Sequence, residues 1–475
     1  MTSRMLKKSA SVVLASFRPS TYLRGYASAL HSLRPCWTNF LSILFPQPVR
    51  LNQARVWRVV VVVGILLLGL VPPQASLADD AVVLPKGLSR IFIDTHFYIP
   101  FDQRFDQDGN AVPYAQPFNT SLNSVLLPAL APLNAFFGPG GIASFGKSNV
   151  SVERNLTEML FQPAYGVTDR LSLGVNIPYF QYKNEVNASV DSSASSGANI
   201  GFNPGVPGGI APLAVPGTTR ASTQSIQNLL GAQFGIKPIQ TWQESGIGDI
   251  EVGGRYQYYR GQDFRAAFTG GVRLPTGKVD DPDNLVDTPF GKGAYALLFQ
   301  FSQDYMHQKD GLSKRLGFPD PGEWFINTAL RYDLNLPTKE TLRVCPGGGP
   351  FCNTKDDVNI KYGDQIQAEI SGKIGVFLPG LNFSPLYQYT FKFKDHYSGD
   401  KGLDYGSLNQ QLDNSRGQVQ QHIYILQLTY NTLPMLIQKH FAFPLVVEVS
   451  YRDRFAGQGG TPKSQYVGFT LQVFF

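Results

Sequence analysis

Apolar and polar side chains alternate over runs of about ten residues in most of this chain, and no other feature restricts its fold more. Between residues 387 and 394, tyrosine and phenylalanine occupy every odd position, while glutamine, threonine and lysine occupy every even position. The same period of two recurs at 249–258, 264–274 and 445–452. A strand has this period because successive side chains point to opposite faces of its sheet. The sequence therefore predicts an all-β fold whose strands each have one apolar and one polar face.

Connections of unequal length separate twelve segments with this pattern. The predicted strands span residues 89–100, 151–165, 171–183, 248–260, 263–275, 293–306, 323–335, 359–375, 383–396, 418–431, 442–454 and 464–475. Short and long connections alternate, as they do in outer-membrane barrels, where periplasmic turns are short and outer loops are long. The pattern predicts a transmembrane antiparallel β-barrel of twelve strands, with long external loops at 101–150 and 187–247. Two connections, 307–322 and 432–441, are of intermediate length, so a barrel of fourteen strands is the alternative.

The last predicted strand ends the chain on an aromatic residue. Its apolar face consists of Val467, Phe469, Leu471, Val473 and Phe475. This pattern resembles the C-terminal assembly signal of bacterial outer-membrane proteins, in which a terminal phenylalanine and the apolar residues before it are presented to the insertion machinery. The last four of these residues are therefore the predicted assembly signal. The alternative interpretation is an ordinary edge strand that happens to end the protein.

The first 78 residues have the composition of a leader. They contain nine lysines and arginines and neither aspartate nor glutamate, and they end in an apolar run, 59–71, followed by the small residues Ser76 and Ala78. This order predicts a secretory signal peptide that is cleaved after Ala78, leaving a mature chain of residues 79–475. A membrane anchor is the alternative, but a helix needs about 20 apolar residues to cross a bilayer.

The apolar run begins unusually late for a signal peptide, so we expect translation to start near Leu51 or Val56. An organellar transit peptide is the alternative for this stretch, because it contains serine and arginine but no acid. The leader also carries the excess of positive charge. The nine basic residues removed with it are part of a total of 41, against 35 acidic residues in the whole chain. The mature chain is therefore slightly acidic, and nothing indicates a nucleic-acid partner.

Two cysteines remain after the predicted cleavage, Cys345 and Cys352. They are separated by PGGGPF, a sequence typical of a loop. Because exported proteins form disulfides, we predict that the two are bonded. A zinc site is the alternative, but no histidine or second cysteine pair lies nearby to complete a tetrahedron.

Three stretches resemble a known family. They are YGVTDRLSLGVNIPYF at 165–180, GIGDIEVGGRYQYY at 246–259 and TGGVRLPTGK at 269–278. The family consists of outer-membrane proteins labelled as belonging to the meta-pathway of phenol degradation. It is regarded as a set of transport barrels related to the hydrophobic-compound channels typified by the long-chain fatty-acid transporter.

The resemblance implies an outer-membrane channel or transporter of a Gram-negative bacterium. Its expected role is passive uptake or export of small molecules, aromatic or hydrophobic ones among them. Fatty-acid transporters of this type carry a sizeable plug before the first strand, whereas only 79–88 is available here. We therefore expect any plug to come from a loop. The alternative function is a structural or surface-interaction barrel without transport.

The polar faces of the predicted strands carry charges of both signs, which predicts a hydrated lumen. Twelve strands lie between the roughly 8 that side chains fill and the roughly 16 that leave a wide channel, so we expect a narrow pore. The pore-lining candidates are Asp249, Glu251, Arg255, Arg265, Arg273, Glu369, Lys373, Lys392, Lys394, Glu448 and Arg452.

The segment 121–142 is too apolar for a loop that simply extends into water. One interpretation is that it folds inward as a constriction. The other is that it packs on neighbouring loops or lipid. The candidate contacts are Leu126, Leu127, Leu130, Leu133, Phe136 and Phe137.

No catalytic or metal-binding motif is predicted. His396 and Ser398 have the spacing of the catalytic pair in outer-membrane phospholipases. The alternation of their strand would point both into the lumen, away from a lipid substrate, so enzymatic activity is not expected. His96 and His422 are expected to be hydrogen-bonded wall residues. The predicted partners are membrane lipid, the outer-membrane insertion machinery and a small-molecule solute, without a cofactor. No pattern in the sequence indicates an oligomeric state.

Overall fold

The computed structural model describes residues 80–307, 321–345, 351–410, 416–437 and 444–475. The leader and its predicted cleavage site lie outside these residues, as does most of the connection at 307–322. Within the described ranges, no helix is both long enough and apolar enough to cross a membrane.

Twelve antiparallel strands form a closed barrel. They are β1 (Ser89–Tyr98), β2 (Ser144–Thr168), β3 (Leu171–Asp191), β4 (Ile250–Arg260), β5 (Phe264–Leu274), β6 (Ala296–His307), β7 (Trp324–Asn335), β8 (Gln365–Gly375), β9 (Leu381–Lys392), β10 (Val419–Asn431), β11 (Leu445–Gln458) and β12 (Gln465–Phe474). Each strand pairs with its neighbours in the sequence, and β12 pairs with β1 to close the barrel. The predicted fold class and strand number are confirmed, and the alternative of fourteen barrel strands is wrong.

The two faces of the strands have opposite chemistry. In β6, the outward-facing Phe299, Phe301 and Tyr305 are 36%, 49% and 48% exposed, while the inward-facing Gln300 and Asp304 are 5% and 0% exposed. A soluble barrel would bury the aromatic side chains and expose the polar ones. An apolar outer surface on a closed sheet requires lipid around it, because closure leaves no unpaired edge and lipid covers the apolar side chains. The chain is therefore a membrane β-barrel.

Two strands are longer than predicted, and two predicted strands are interrupted. The β2–β3 hairpin extends well past the other strands, because its pairing continues as far as Lys147 and Asp191. The predicted strand 359–375 is two strands, separated by a turn at Gly363. A Cβ atom at Gly363 would lie 1.8 Å from the carbonyl oxygen of Phe393, so only glycine fits the turn. The predicted strand 383–396 ends at Lys392 for the same reason, since the chain turns there against Gly363.

We call the end of the barrel that contains Ser89 and Phe474 the terminal rim, and the opposite end the loop rim. Additional elements lie between barrel strands, and all but one of them are at the loop rim. The helices are α1 (Thr223–Phe234), α2 (Tyr405–Gln410), α3 (Leu433–Ile437) at the terminal rim, and the 3₁₀ segments Gln116–Phe118, Pro128–Phe137 and Ala194–Ser196. The short strands are Gln103–Phe105, Ala111–Pro113, Ser121–Asn123, Ile200–Phe202, Ile210–Pro212, Thr219–Arg220, Trp242–Ile247, Thr338–Arg343, Lys355–Lys361 and His396–Ser398.

These elements at the loop rim form a packed layer with apolar cores of its own, which we call the loop layer. One core contains Leu127, Leu130, Phe145, Ile226 and Leu230, and joins the segment after β1 to the β2–β3 hairpin and α1. A second core packs the sheet formed by Thr338–Arg343, Lys355–Lys361 and His396–Ser398 against α2.

A pair of lysine substitutions tests which face meets lipid. Phe161 faces outward on β2, whereas the next residue, Gln162, lines the cavity inside the barrel. We expect Phe161→Lys to lower the free energy of unfolding by about 2–4 kcal/mol, because the ammonium group would enter the bilayer. Gln162→Lys, the matched control, should change it little. Urea unfolding in lipid vesicles measures both, and equal losses would contradict the assigned faces.

Candidate functional site

The barrel encloses a cavity of about 500 Å³. Polar and charged side chains from β1, β4, β7 and β11 line it, together with apolar ones such as Phe92 and Leu298. The inward positions of neighbouring strands are paired in register, so side chains from adjacent strands meet at one height in the lumen. This register decides which charges come together.

Two acids and two arginines form a network inside the barrel toward the loop rim. Arg273 donates to Glu251 and Asp333 over 2.7 Å each, and Arg331 contacts the same two carboxylates at 2.8 and 2.7 Å. Each guanidinium fork bridges two carboxylates, so the four charges compensate one another. The network fixes these side chains in the lumen and leaves no net charge at this position.

The chain before β1 enters the lumen from the terminal rim. The Ala81 amide donates to both carboxylate oxygens of Asp304 over 3.1 Å, and Gln257 donates to the Ala81 carbonyl over 2.7 Å. Arg255 donates to the Asp80 carbonyl over 2.6 Å, and the Leu84 amide donates to a serine hydroxyl of β3 over 2.7 Å. We call residues 80–84 the N-terminal plug. The expectation that any plug would come from a loop is wrong, because five residues are enough when their backbone bonds directly to the wall.

The barrel wall has space for the N-terminal plug because three neighbouring strands carry glycine at inward positions. Gly174, Gly253 and Gly271 are paired across β3, β4 and β5. These strands lie so close that a Cβ atom at Gly253 would be 2.9 Å from the Gly270 carbonyl oxygen. Side chains at these positions would fill the space that Val82 to Leu84 share with the cavity. The glycine pairs at 253–254 and 270–271 are the feature of the sequence that could have predicted this space. No local pattern indicated that the N-terminal plug fills it.

Nine of the eleven pore-lining candidates face the lumen or its mouth, and most have a partner there. Glu448 accepts hydrogen bonds from Gln427 and Thr429 over 2.7 and 2.9 Å. Lys392 pairs with Asp395 at 2.5 Å. The inward set is Glu251, Arg255, Arg265, Arg273, Glu369, Lys373, Lys392, Glu448 and Arg452.

Two candidates lie elsewhere. Asp249 lies where β4 meets the short strand before it, and its carboxylate accepts from the amides of Gly277 and Lys292 over 3.0 and 2.8 Å. The break between these two strands takes Asp249 out of the alternating pattern from which a lumen-facing position was predicted. Lys394 follows the end of β9 and is exposed. Both belong to the loop layer, so their prediction as pore-lining residues is corrected.

The histidines occupy three different environments. His96 faces the lumen, between Glu158 at 3.0 Å and Asp94 at 2.9 Å. His422 faces outward and bonds to the Tyr387 hydroxyl over 2.7 Å. His396 is exposed in the loop layer, as is Ser398, because the barrel strand ends before them. The expectation that these two would point into the lumen is therefore wrong. Among the residues that the structure describes, no group of three or more potential ligands could hold a metal ion.

The apolar segment 121–142 packs within the loop layer. Leu127 and Leu130 are 1% exposed and contact Ile226 and Leu230 of α1. Leu126, Leu133 and Phe137 pack around them, while Phe136 is 67% exposed. None of these side chains lines the lumen cavity. These side chains therefore pack on neighbouring loops and do not constrict the lumen.

Arg343 joins four parts of the loop layer. It donates to the carbonyls of Phe234 and Gly235 at the C-terminus of α1, over 2.7 and 3.1 Å, and to Asp283 over 2.5 Å. It also donates to the Cys352 carbonyl. Cys352 forms a disulfide with Cys345, with the sulfurs 2.06 Å apart. A cation at a helix C-terminus is favourable because the last carbonyls are otherwise unpaired.

A carboxylate pair lies in the loop between β5 and β6. Burial, followed by the charge of the neighbouring Asp280, raises the pKa of Asp287 to about 7. The Asp281 amide donates to Asp287 over 3.2 Å, so the loop closes on this carboxyl group. By contrast, burial tends to raise the pKa of Asp283, but Lys355 and Arg343 hold it below its usual value. In this loop, the charge of Asp283 is compensated by nearby cations, whereas the charge of Asp287 is not.

Three solved structures that match this chain are distant from it in sequence. An outer membrane channel from Pseudomonas putida F1 is 11% identical, covers 84% of this chain and 100% of its own, and gives a TM-score of 0.44. The toluene transporter of Ralstonia pickettii is 9% identical over 82% of this chain and 90% of its own, with a TM-score of 0.32. The translocator domain of an autotransporter from Neisseria meningitidis is 8% identical over 82% and 89%, with a TM-score of 0.30.

No protein-family model matches the sequence, and no curated protein matches it. The resemblance to the phenol meta-pathway family is therefore not confirmed. Identities of 8–11% carry no information about the solute of this chain.

The Asp287 environment predicts a pH-dependent loop. Folding raises the pKa of this carboxyl group from about 4 to about 7. The folded loop is therefore stabilised by the protonated form, and this stabilisation is lost as pH rises from about 4 to about 7. We expect protection of amides 280–288 from hydrogen exchange, corrected for the intrinsic rate, to fall between about pH 4 and pH 7. Asp287→Asn should remove this dependence, and substitution of the exposed Asp400 should not. Unchanged protection in the wild type would contradict the assignment.

Proposed function

We propose that this protein is a passive channel for small molecules in the outer membrane of a Gram-negative bacterium. The observation that carries the proposal is the cavity of about 500 Å³ inside a closed barrel, lined by polar and apolar side chains. A barrel that served only as a scaffold would fill its interior with packed side chains, as small barrels do. Here Glu251, Arg273, Arg331 and Asp333 pair along the wall, and a cavity remains beside them.

The termini and the short turns face the periplasm in this proposal, and the loop layer faces outward. This is the usual orientation of outer-membrane barrels, whose outer loops are the longer ones. The first 78 residues then serve as the export leader. Phe469, Leu471, Val473 and Phe475 then serve as the assembly signal that the insertion machinery recognises. Their outward orientation supports this role, since Phe475 is 66% exposed and stands at the terminal rim.

The inward-facing charges then line the pore, and the N-terminal plug narrows it from the periplasmic side. The solutes we propose are small, with aromatic or hydrophobic compounds among them, because Phe92 and Leu298 lie beside the charged groups of the cavity. A purely ionic pore would have no use for such apolar positions. Passage is expected to be passive, since the described residues contain no fold or motif for binding a nucleotide.

The folded loop layer favours a second candidate function, interaction with a partner at the cell surface. Arg343 and the disulfide hold several loops in one arrangement, as a binding surface requires. Removal of residues 187–243 separates the two functions. A channel should keep or increase its conductance without this segment, whereas a surface-interaction protein should lose its partner.

Removal of residues 80–84 tests the proposed function directly. The deletion frees Asp304, Gln257 and Arg255 from the plug and opens the terminal rim. We expect the single-channel conductance in planar lipid bilayers to rise at least about twofold, because the plug removes part of a narrow cross-section. Deletion of residues 204–208 of the loop layer, four of them exposed and Val206 half-buried, is the matched control and should leave conductance unchanged. A folded protein that passes no current with or without the plug would contradict a channel.

A further inference from the structure

Besides Arg90 near the terminal rim, three arginines of the barrel interior in the described residues have no acidic partner. They are Arg154 on β2 and Arg452 and Arg454 on β11, near the loop rim. Elsewhere in the lumen, Arg273 and Arg331 each contact two carboxylates. Within the described part of the chain, no carboxylate lies within 4.0 Å of any of the three. This end of the lumen therefore has positive charge that the protein itself does not compensate.

The same arginines have unused donors. The Nη1 group of Arg452 and the Nε groups of Arg154 and Arg454 are buried without a hydrogen-bond partner in the described residues. Arg452 as a whole is only 8% exposed. A buried charged donor without a partner is unfavourable, because it has lost water and gained nothing in exchange. An anion bound between these groups would supply the missing acceptors.

Aromatic rings flank the unpaired arginines. One row of the wall consists of Arg452, Tyr466 and Tyr98 on three consecutive strands, all facing inward. The Arg452 guanidinium lies 5.3 Å from the centre of the Tyr466 ring, and the rings of Tyr466 and Tyr98 are 5.1 Å apart. Arg154 lies 4.0 Å from the centre of the Tyr114 ring. The site therefore combines fork-shaped cations with flat apolar surfaces.

The nearest acids are already engaged. Glu158 accepts from Tyr98 over 3.4 Å and lies 3.0 Å from His96. Asp94 lies 2.9 Å from the other ring nitrogen of His96 and accepts from Thr470 over 2.8 Å. These contacts hold both carboxylates closer to the terminal rim than the three arginines. The lumen cavity extends up to His96 and Tyr466, so a solute in the cavity reaches this row.

We propose that Arg154, Arg452 and Arg454, with Tyr98, Tyr114 and Tyr466, form a binding site for a small aromatic carboxylate. The guanidinium groups bind the carboxylate in a fork, and the tyrosine rings pack against the ring of the solute. The site rests on the proposed channel function and names the solute class that the channel selects. Neutral aromatic molecules lack the charged carboxylate, and small aliphatic acids lack the ring.

Block of the chloride current tests the site. Protein purified from outer membranes is placed in planar bilayers, and benzoate, acetate and benzyl alcohol are added at equal concentrations. We expect benzoate to reduce the current at the lowest concentration. Arg452→Gln should raise the half-blocking concentration of benzoate roughly tenfold, because one charged donor is lost. Arg170→Gln, an exposed arginine in the β2–β3 turn, is the matched control and should leave it unchanged.

Two results would overturn the proposal while the channel function stands. Benzyl alcohol that blocks as well as benzoate would show that the carboxylate is not recognised, and acetate that does so would show that the ring is not. If Arg452→Gln does not fold, Arg454→Gln decides in the same assay. A wild-type protein without current contradicts the channel function instead. Calorimetric titration of the detergent-solubilised protein with benzoate then tests the site separately, and absence of binding overturns it.

Discussion

The absence of water from the bilayer core governs this structure. Every backbone amide and carbonyl of a membrane-spanning strand needs a partner, and only the pairing of β12 with β1 removes the last open edge. Once the sheet is closed, the two faces of each strand must differ, because one meets lipid and the other encloses the lumen. The alternation of aromatic and polar residues, the even number of strands and the location of both chain ends at one rim all follow from closure.

Closure leaves the charged side chains with few partners besides each other. Arg273, Arg331, Glu251 and Asp333 face each other because the strand register places them at one height. Their pairing places an opposite charge beside each of these four charges, which lowers the free-energy cost of burying them. Arg154, Arg452 and Arg454 are exceptions, because no carboxylate of the described residues lies within 4.0 Å of them. In the proposed site, the carboxylate of the solute supplies the missing partner.

The two ends of the barrel are built differently. At the terminal rim, the N-terminal plug binds through its backbone, so its attachment depends on Asp304, Gln257 and Arg255 of the wall. At the loop rim, a layer with its own apolar cores is fastened by Arg343 and a disulfide. A short backbone segment is more easily displaced than a packed layer, because fewer buried contacts must be broken. We therefore infer that opening of the lumen begins with the plug.

The sequence alone determined the fold class, the number of barrel strands and the faces of nearly all candidate residues. This was possible because a period of two is a local property, and lipid leaves little freedom in its interpretation. The exceptions, Asp249 and Lys394, lie where strands are interrupted, and the turn at Gly363 depends on the carbonyl of Phe393, which is distant in sequence. Only the tertiary structure decided which charges pair, that residues 80–84 enter the lumen and that 121–142 packs on α1. These three features depend on strand register or on contacts between distant segments. A local sequence pattern encodes neither the register nor such contacts.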